Sequence, residues 1–212
     1  MNKVLIMKNL QIAKKEIVAL SHFFYGKGWS SATSSNYSTR LSESTILVTA
    51  SGKDKSKLSD EDLVIVDYSA TPLPGETQKP SAETLLHCQL YQFSAEINVV
   101  LHTHSIYGTI LSDYYCAQKK IQIENYEMVK SLKGITTHET TLTIPIFKNT
   151  QNMQSLSKEI NRYMSNHNKI DAYLISGHGL YLWGSDFAEA KRHVEGLEFL
   201  FECEYKKLLL KK

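Results

Sequence analysis

Val99-Val100-Leu101-His102-Thr103-His104-Ser105 is the stretch from which the rest of the chain can be read. Ile97, Val99, Val100 and Leu101 are apolar and mostly β-branched, the composition of a buried strand, and two histidines follow at its downstream end. Side chains alternate along an extended strand, so His102 and His104 point the same way, with Cα atoms about 6 to 7 Å apart. Two imidazoles at that spacing can converge on one ion, and Zn²⁺ takes imidazole nitrogen at about 2.0 to 2.1 Å. An H-x-H pair also arises by chance on exposed strand ends, so a metal site requires further ligands.

The 212 residues suit one domain, 1–212, with a well-buried core, and nothing in them demands a second. A formal net charge of +2, with acids and bases interspersed, gives no field that argues for nucleic acid as a partner. No apolar run is long enough to span a bilayer, and Met1 to Lys8 holds too short a hydrophobic region for a secretory signal. A soluble, cytoplasmic protein without a membrane partner is expected. Cys88, Cys116 and Cys203 are odd in number and lack C-x-x-C spacing, which argues against a disulfide framework or thiolate metal site and for reduced, mostly buried thiols.

Leu10, Ala13, Ile17, Leu20 and Phe24 line one face of a helix, which Gly26 and Gly28 end. The run Trp29 to Arg40, rich in small hydroxyl residues, reads as a polar or ligand-facing loop. After a strand at Ile46 to Thr49, Ala50-Ser51-Gly52-Lys53 brings together a hydroxyl, flexible amides and a cation, which are phosphate-binding components without the glycine spacing of a P-loop. Leu63 to Asp67 is a buried strand. Lys79-Pro80-Ser81-Ala82-Glu83 then opens a helix, with Ser81 as N-cap, Leu86, Leu90 and Phe93 on its apolar face, and Glu83 in its first turn, where an acid ordinarily favours the helix dipole.

Downstream, Ile106 to Tyr115 reads as helix, Ile121 to Glu127 as extended, and Ile144 to Phe147 as a strand whose Pro145 favours an edge or strand end. Met153 to Met164 is helical. Ala172 to Ile175 and Leu180 to Trp183 flank the glycine-bracketed turn Ser176-Gly177-His178-Gly179, and Asp186 to Leu210 forms a closing helix with Lys206 to Lys212 as its solvated end. Strands and helices mix without strict alternation, so the expected fold is a layered α/β/α domain with a central, largely antiparallel sheet. His178, between two glycines that let backbone approach a ligand, is the third candidate metal ligand. His22, His87, His138, His167 and His193 lack a partner at useful spacing and read as surface or packing residues.

Leu101-His102-Thr103-His104-Ser105, Pro80-Ser81-Ala82-Glu83, Ser51-Gly52 and Gly177-His178-Gly179 together resemble the class II aldolase family over nearly the whole chain. Tyr126-Glu127-Met128-Val129-Lys130 and Gly179-Leu180-Tyr181-Leu182-Trp183-Gly184 resemble that family's dehydratase branch. The resemblance implies that His102, His104 and His178 bind Zn²⁺, that Glu127 is the acid/base residue, and that the protein is a homotetramer with sites near subunit boundaries. It implies dehydration of 5-methylthioribulose 1-phosphate in methionine salvage, the phosphate being held by Asn36, Ser51, Gly52 and Ser81 with Lys53 or Lys130 as counter-charge. Where the family carries a glycine-containing loop, this chain has Ser34 and Ser35 before Asn36. Three neutral imidazoles leave the ion's double charge intact, which suits a Lewis acid with open positions. Iron, nickel and copper also accept imidazole. Two alternatives stay open: a sugar-phosphate aldolase with Glu83, otherwise a substrate-binding group, as its base, and a metal-stabilised scaffold without turnover.

Overall fold

The computed structural model describes residues 3–167 and 170–211. The expectations about Met1 to Lys8 and Lys206 to Lys212 therefore fall partly outside the described residues. The chain runs α1 (Lys3–Gly26), β1 (Asn36–Arg40), β2 (Thr45–Thr49), β3 (Leu63–Asp67), α2 (Thr84–Phe93), β4 (Val99–Thr103), α3 (Ile106–Tyr114), β5 (Lys120–Glu124), β6 (Thr141–Phe147), α4 (Met153–Asn166), β7 (Ala172–Ile175), β8 (Gly179–Gly184) and α5 (Phe187–Leu210). The strands form one sheet in the order β3-β2-β1-β4-β8-β7-β6-β5. Every neighbouring pair is antiparallel except β6 and β7, which are parallel.

Both faces of this sheet are covered, and the period of two decides which side chain serves which face. Val99 and Leu101 of β4, Leu174 of β7 and Leu180 and Leu182 of β8 join one core with Ile17 and Phe24 of α1, Leu111 of α3 and Leu197 and Phe201 of α5. Val100, Tyr173 and Tyr181 join the other with Leu86 and Leu90 of α2 and Leu156, Ile160 and Met164 of α4. The result is the expected α/β/α layering. His102 continues the Val100 series, so it faces the α2 layer, and the register sets it level with Asn36 on β1 and Tyr181 on β8.

Several local expectations are corrected. The Trp29 to Arg40 run is not wholly loop: its last five residues are β1, an interior strand whose small hydroxyls are buried and hydrogen-bonded, as in Thr39 Oγ1 donating to the Asn98 carbonyl at 2.8 Å. The helix after Pro80 begins only at Thr84, because Pro80 still bridges to Ala50 and residues 81–83 are needed to turn. Ser81 Oγ instead accepts from the Glu83 N–H at 3.2 Å inside that turn. Phe93, the last residue of α2, is exposed while Leu86 and Leu90 are buried. Pro145 lies in an interior strand, tolerated because the ladder to β7 starts one residue later, at Ile146. All three thiols are free, with Cys88 buried and Cys116 and Cys203 only partly so. No described helix is long and apolar enough to cross a membrane.

The sheet packs tightly against α5 at Gly184, where a Cβ would lie 2.6 Å from the Ala190 backbone nitrogen. Gly184→Ala should therefore push α5 off β8 and lower the unfolding free energy by about 1–3 kcal/mol, read by urea denaturation. A midpoint equal to that of the parent protein would show the contact to be slack.

Candidate metal centre

His102 sits on β4 and His104 just beyond it, where the His104 N–H donates to the Trp29 carbonyl at 2.8 Å. His178 is carried by the turn between β7 and β8. That turn places Gly177 at φ +61°, a left-handed conformation natural to glycine, and it is pinned by Thr109 Oγ1 donating to the His178 carbonyl at 3.0 Å. Gly179 lets β8 start against β4, since a Cβ there would meet the Thr103 carbonyl oxygen at 2.1 Å. The three ring centroids lie 4.4, 4.6 and 4.9 Å apart. Glu83, the residue before α2, closes the cluster: one donor atom from each of Glu83, His102, His104 and His178 lies within 4.8 Å of the other three. His178 Nε2 is 3.0 Å from Glu83 Oε1.

Protonation follows from burial and partners. A carbonyl only accepts, so His102 Nδ1 carries the proton that reaches the Leu180 oxygen at 2.9 Å, and its Nε2 lone pair faces the cluster. Burial pushes His102 well below its ordinary range, and burial with the neighbouring His178 brings His104 down to about 4, so both are neutral near pH 7. Burial opposes ionisation of Glu83, but the His178 hydrogen bond, the imidazole cluster and the Asn36 amide outweigh it and hold the carboxyl well below the usual range. Neutral imidazole lone pairs with one ionised carboxylate, half-enclosed and only angstroms apart, fit a divalent cation. His178 Nδ1 is buried without a hydrogen-bond partner, an orphan that a ligand or water can satisfy.

A buried chain of hydrogen bonds fixes Glu83 from below. Asn36 Nδ2 donates to Glu83 Oε2 at 2.7 Å, and Asn36 Oδ1 accepts from His87 Nε2. His87 Nδ1 then accepts from Ser38 Oγ at 2.7 Å, and Ser38 Oγ accepts from the Tyr91 hydroxyl at 2.8 Å. Every direction is determined once Glu83 is ionised and His87, driven down to about 3 by burial, is neutral. The Tyr181 ring stacks on His102 with centroids 3.9 Å apart. From the sequence His87 reads as a surface or packing residue. Its spacing of four from Glu83, one helical turn, is the signal that points to the role.

Asn36, Ser51, Gly52, Ser81 and Glu83, the expected substrate-binding residues, all line one groove of about 110 Å³ beside His104. Ser35, in the stretch where the resemblance leads to the expectation of a glycine-containing loop, adopts φ +70°, a left-handed conformation uncommon for serine. Lys53 pairs with Asp62 at 2.9 Å, and the lysine lining the groove is Lys55. A wider groove of about 520 Å³ also opens onto Glu83, His104 and His178. Glu127 is not part of this convergence. It lies exposed on a short turn, paired with Lys130 at 2.5 Å and with His138 at 3.3 Å.

A family profile described as class II aldolase and adducin N-terminal domain matches residues 15–205. A protein named methylthioribulose-1-phosphate dehydratase from Pseudomonas fluorescens (strain Pf0-1) is 49% identical over 193 residues, 91% of each chain. One of the same name from Sorangium cellulosum (strain So ce56) is 43% identical over 89% of each. Among solved structures, L-fuculose-1-phosphate aldolase from Thermus thermophilus superposes with a TM-score of 0.74 at 21% identity, covering 96% of this chain and 97% of that one. YgbL from Klebsiella pneumoniae, described as a putative aldolase/epimerase/decarboxylase, gives 0.78 at 20% identity, covering 93% and 90%. At such identities these two show a common fold.

His178→Ala should strip the protein of most of its divalent metal, read by elemental analysis after purification without chelators; full retention would remove residue 178 from the ligand set. The buried His87 has a second consequence. Its folded pKa is about 3 against an ordinary 6.5, so protons bind the unfolded chain preferentially, and its stabilising contribution is whole above pH 6.5 and shrinks as pH falls. Unfolding free energy of the metal-free protein should drop by a few kcal/mol between pH 7 and 4, and His87→Gln should flatten that slope.

Proposed function

The chain belongs to the class II aldolase and adducin N-terminal domain family, and from that membership we propose that it is a cytoplasmic, zinc-dependent lyase of methionine salvage, dehydrating 5-methylthioribulose 1-phosphate to 2,3-diketo-5-methylthiopentyl 1-phosphate. The observation that carries the reading is the meeting of three imidazoles with a groove lined by hydroxyls, in a chain close in sequence to curated dehydratases. Residues 1–212 act as one domain, and the working unit is a homotetramer.

His102, His104 and His178 hold the zinc, which when bound draws electron density from the C2 ketone and steadies the negative charge developing on its oxygen. The groove residues Asn36, Ser51, Gly52 and Ser81 hold the phosphate and so fix the carbon chain in register with the imidazoles. Glu83, kept ionised by His178 and Asn36, accepts from a substrate hydroxyl. Glu127 removes the C3 proton. Its hydrogen bond to Lys130 and that lysine's charge lower its pKa, so the carboxylate form is ready. The same carboxyl then delivers the proton to the C4 hydroxyl, which departs as water, and the enol left behind tautomerises to the 2,3-diketone. Because Glu127 is exposed and outside the histidine cluster of its own chain, it acts on the site of a neighbouring copy.

Glu83 lies 3.7 Å from His102 Nε2 and 3.0 Å from His178 Nε2, which favours one rival, retro-aldol cleavage with Glu83 as base. Incubating the zinc-loaded protein with methylthioribulose 1-phosphate and with fuculose 1-phosphate should yield the diketone from the first and no aldehyde from the second; aldehyde production alone would overturn the dehydratase reading. Glu127→Gln should lower kcat by about 10² to 10⁴. Hybrid oligomers formed from Glu127→Gln and His178→Ala chains should recover activity that neither variant has, and a hybrid as inert as its parents would confine each site to one chain.

A further inference from the structure

Lys55 is a lysine in an unusual place. It is only 1% exposed, although long cationic side chains normally keep their heads in water. Its backbone is tied down on two sides, the carbonyl accepting from Ser21 Oγ of α1 at 2.9 Å and the N–H donating to Ala32 at 3.5 Å. The ammonium donates to the Lys53 carbonyl at 2.9 Å, and among the described residues no carboxylate pairs with it. Nearby Asp62 is already engaged with Lys53 at 2.9 Å, and Asp54 binds the backbone and side chain of Ser56. A buried cation with one neutral acceptor has two donors unspent.

Those donors belong to a side chain that lines the same groove as Asn36, Ser51, Gly52 and Ser81. Besides the hydroxyls of Ser51 and Ser81, the groove supplies those of Thr33, Ser34 and Ser35, a side-chain amide and the amide of Gly52, which stands at φ +73° in the sort of turn that gathers backbone N–H groups around an anion. Its only carboxylate is Glu83, already held by Asn36 and His178. We propose that Lys55 is the counter-charge for the substrate's phosphate, and that it selects phosphorylated over unphosphorylated sugar. The inference rests on the reading of this groove as the phosphate site. Burial pushes the ammonium down to about 8 even though the charges of Asp54 and Asp62 favour its protonated form, so a dianion bound against it would support the charge that enclosure penalises. Lys53, held by Asp62 outside the lining, has no such role.

Inorganic phosphate is the probe, titrated by calorimetry against the zinc-loaded protein and, as an inhibitor, against turnover. Charge-assisted hydrogen bonds of this type correspond to roughly tenfold to hundredfold in affinity. Lys55→Met should weaken phosphate by that factor and raise KM for the phosphorylated substrate far more than it lowers kcat, with zinc content unchanged. Lys55→Gln gives the same measurement if the methionine variant does not fold. Ser51→Ala/Ser81→Ala should also weaken phosphate, and Lys53→Met should leave it within about twofold. Unaltered phosphate binding in the Lys55 variants, with the serine variant impaired, would overturn the role of Lys55 while leaving the groove intact. Phosphate binding indifferent to all of these changes would overturn the groove reading and the inference with it, and a loss produced by Lys53→Met alone would move the charge to the other lysine.

Discussion

The pairing of β4 between β1 and β8 governs the chemistry of this molecule. Asn36, His102 and Tyr181 stand level across the three strands and share one face. A slip of a single residue in either ladder would send His102 to the opposite face, among the leucines that pack on α5, and bring Thr103 round in its place. The register is enforced by the two cores: Val99 and Leu101 are needed on one side of the sheet, Val100 on the other. Hydrophobic alternation therefore positions a side chain that is not itself hydrophobic.

Around that frame the electrostatics divide by face. Towards α2, burial keeps His87, His102 and His104 neutral, while the His178 hydrogen bond, the imidazole cluster and the Asn36 amide keep Glu83 charged. Towards α5, Thr103 Oγ1 donates to Glu198 at 3.2 Å, and burial raises that carboxyl to about 7. Two acids on opposite sides of one sheet are therefore shifted in opposite directions, Glu83 downwards and Glu198 upwards, and environment alone separates them.

Much of this was legible in the amino acids. The H-x-H strand end, the glycine-bracketed His178 and the S-G turn identify themselves by local spacing, and the α/β/α layering follows from apolar strands among amphipathic helices. The same local logic gives Glu83 a place in the substrate groove but not in the histidine cluster, because an acid before a helix is ordinarily explained by the helix dipole and nothing in its neighbours announces His178, nearly a hundred residues on. It passed over His87 and Lys55 for a related reason: their roles arise from burial, which tertiary packing decides. Pro145 reads as an edge or strand end because proline lacks a donor, and sequence does not show where a neighbouring ladder begins.

His178 reaches its partners only after β7 and β8 have been laid beside a strand made much earlier in the chain. During synthesis, then, the growing polypeptide presents His102 and His104 long before His178 exists. The cluster that could hold a cation is complete only once the last quarter of the chain has emerged and docked, so uptake of a metal there would follow folding and would not guide its beginning.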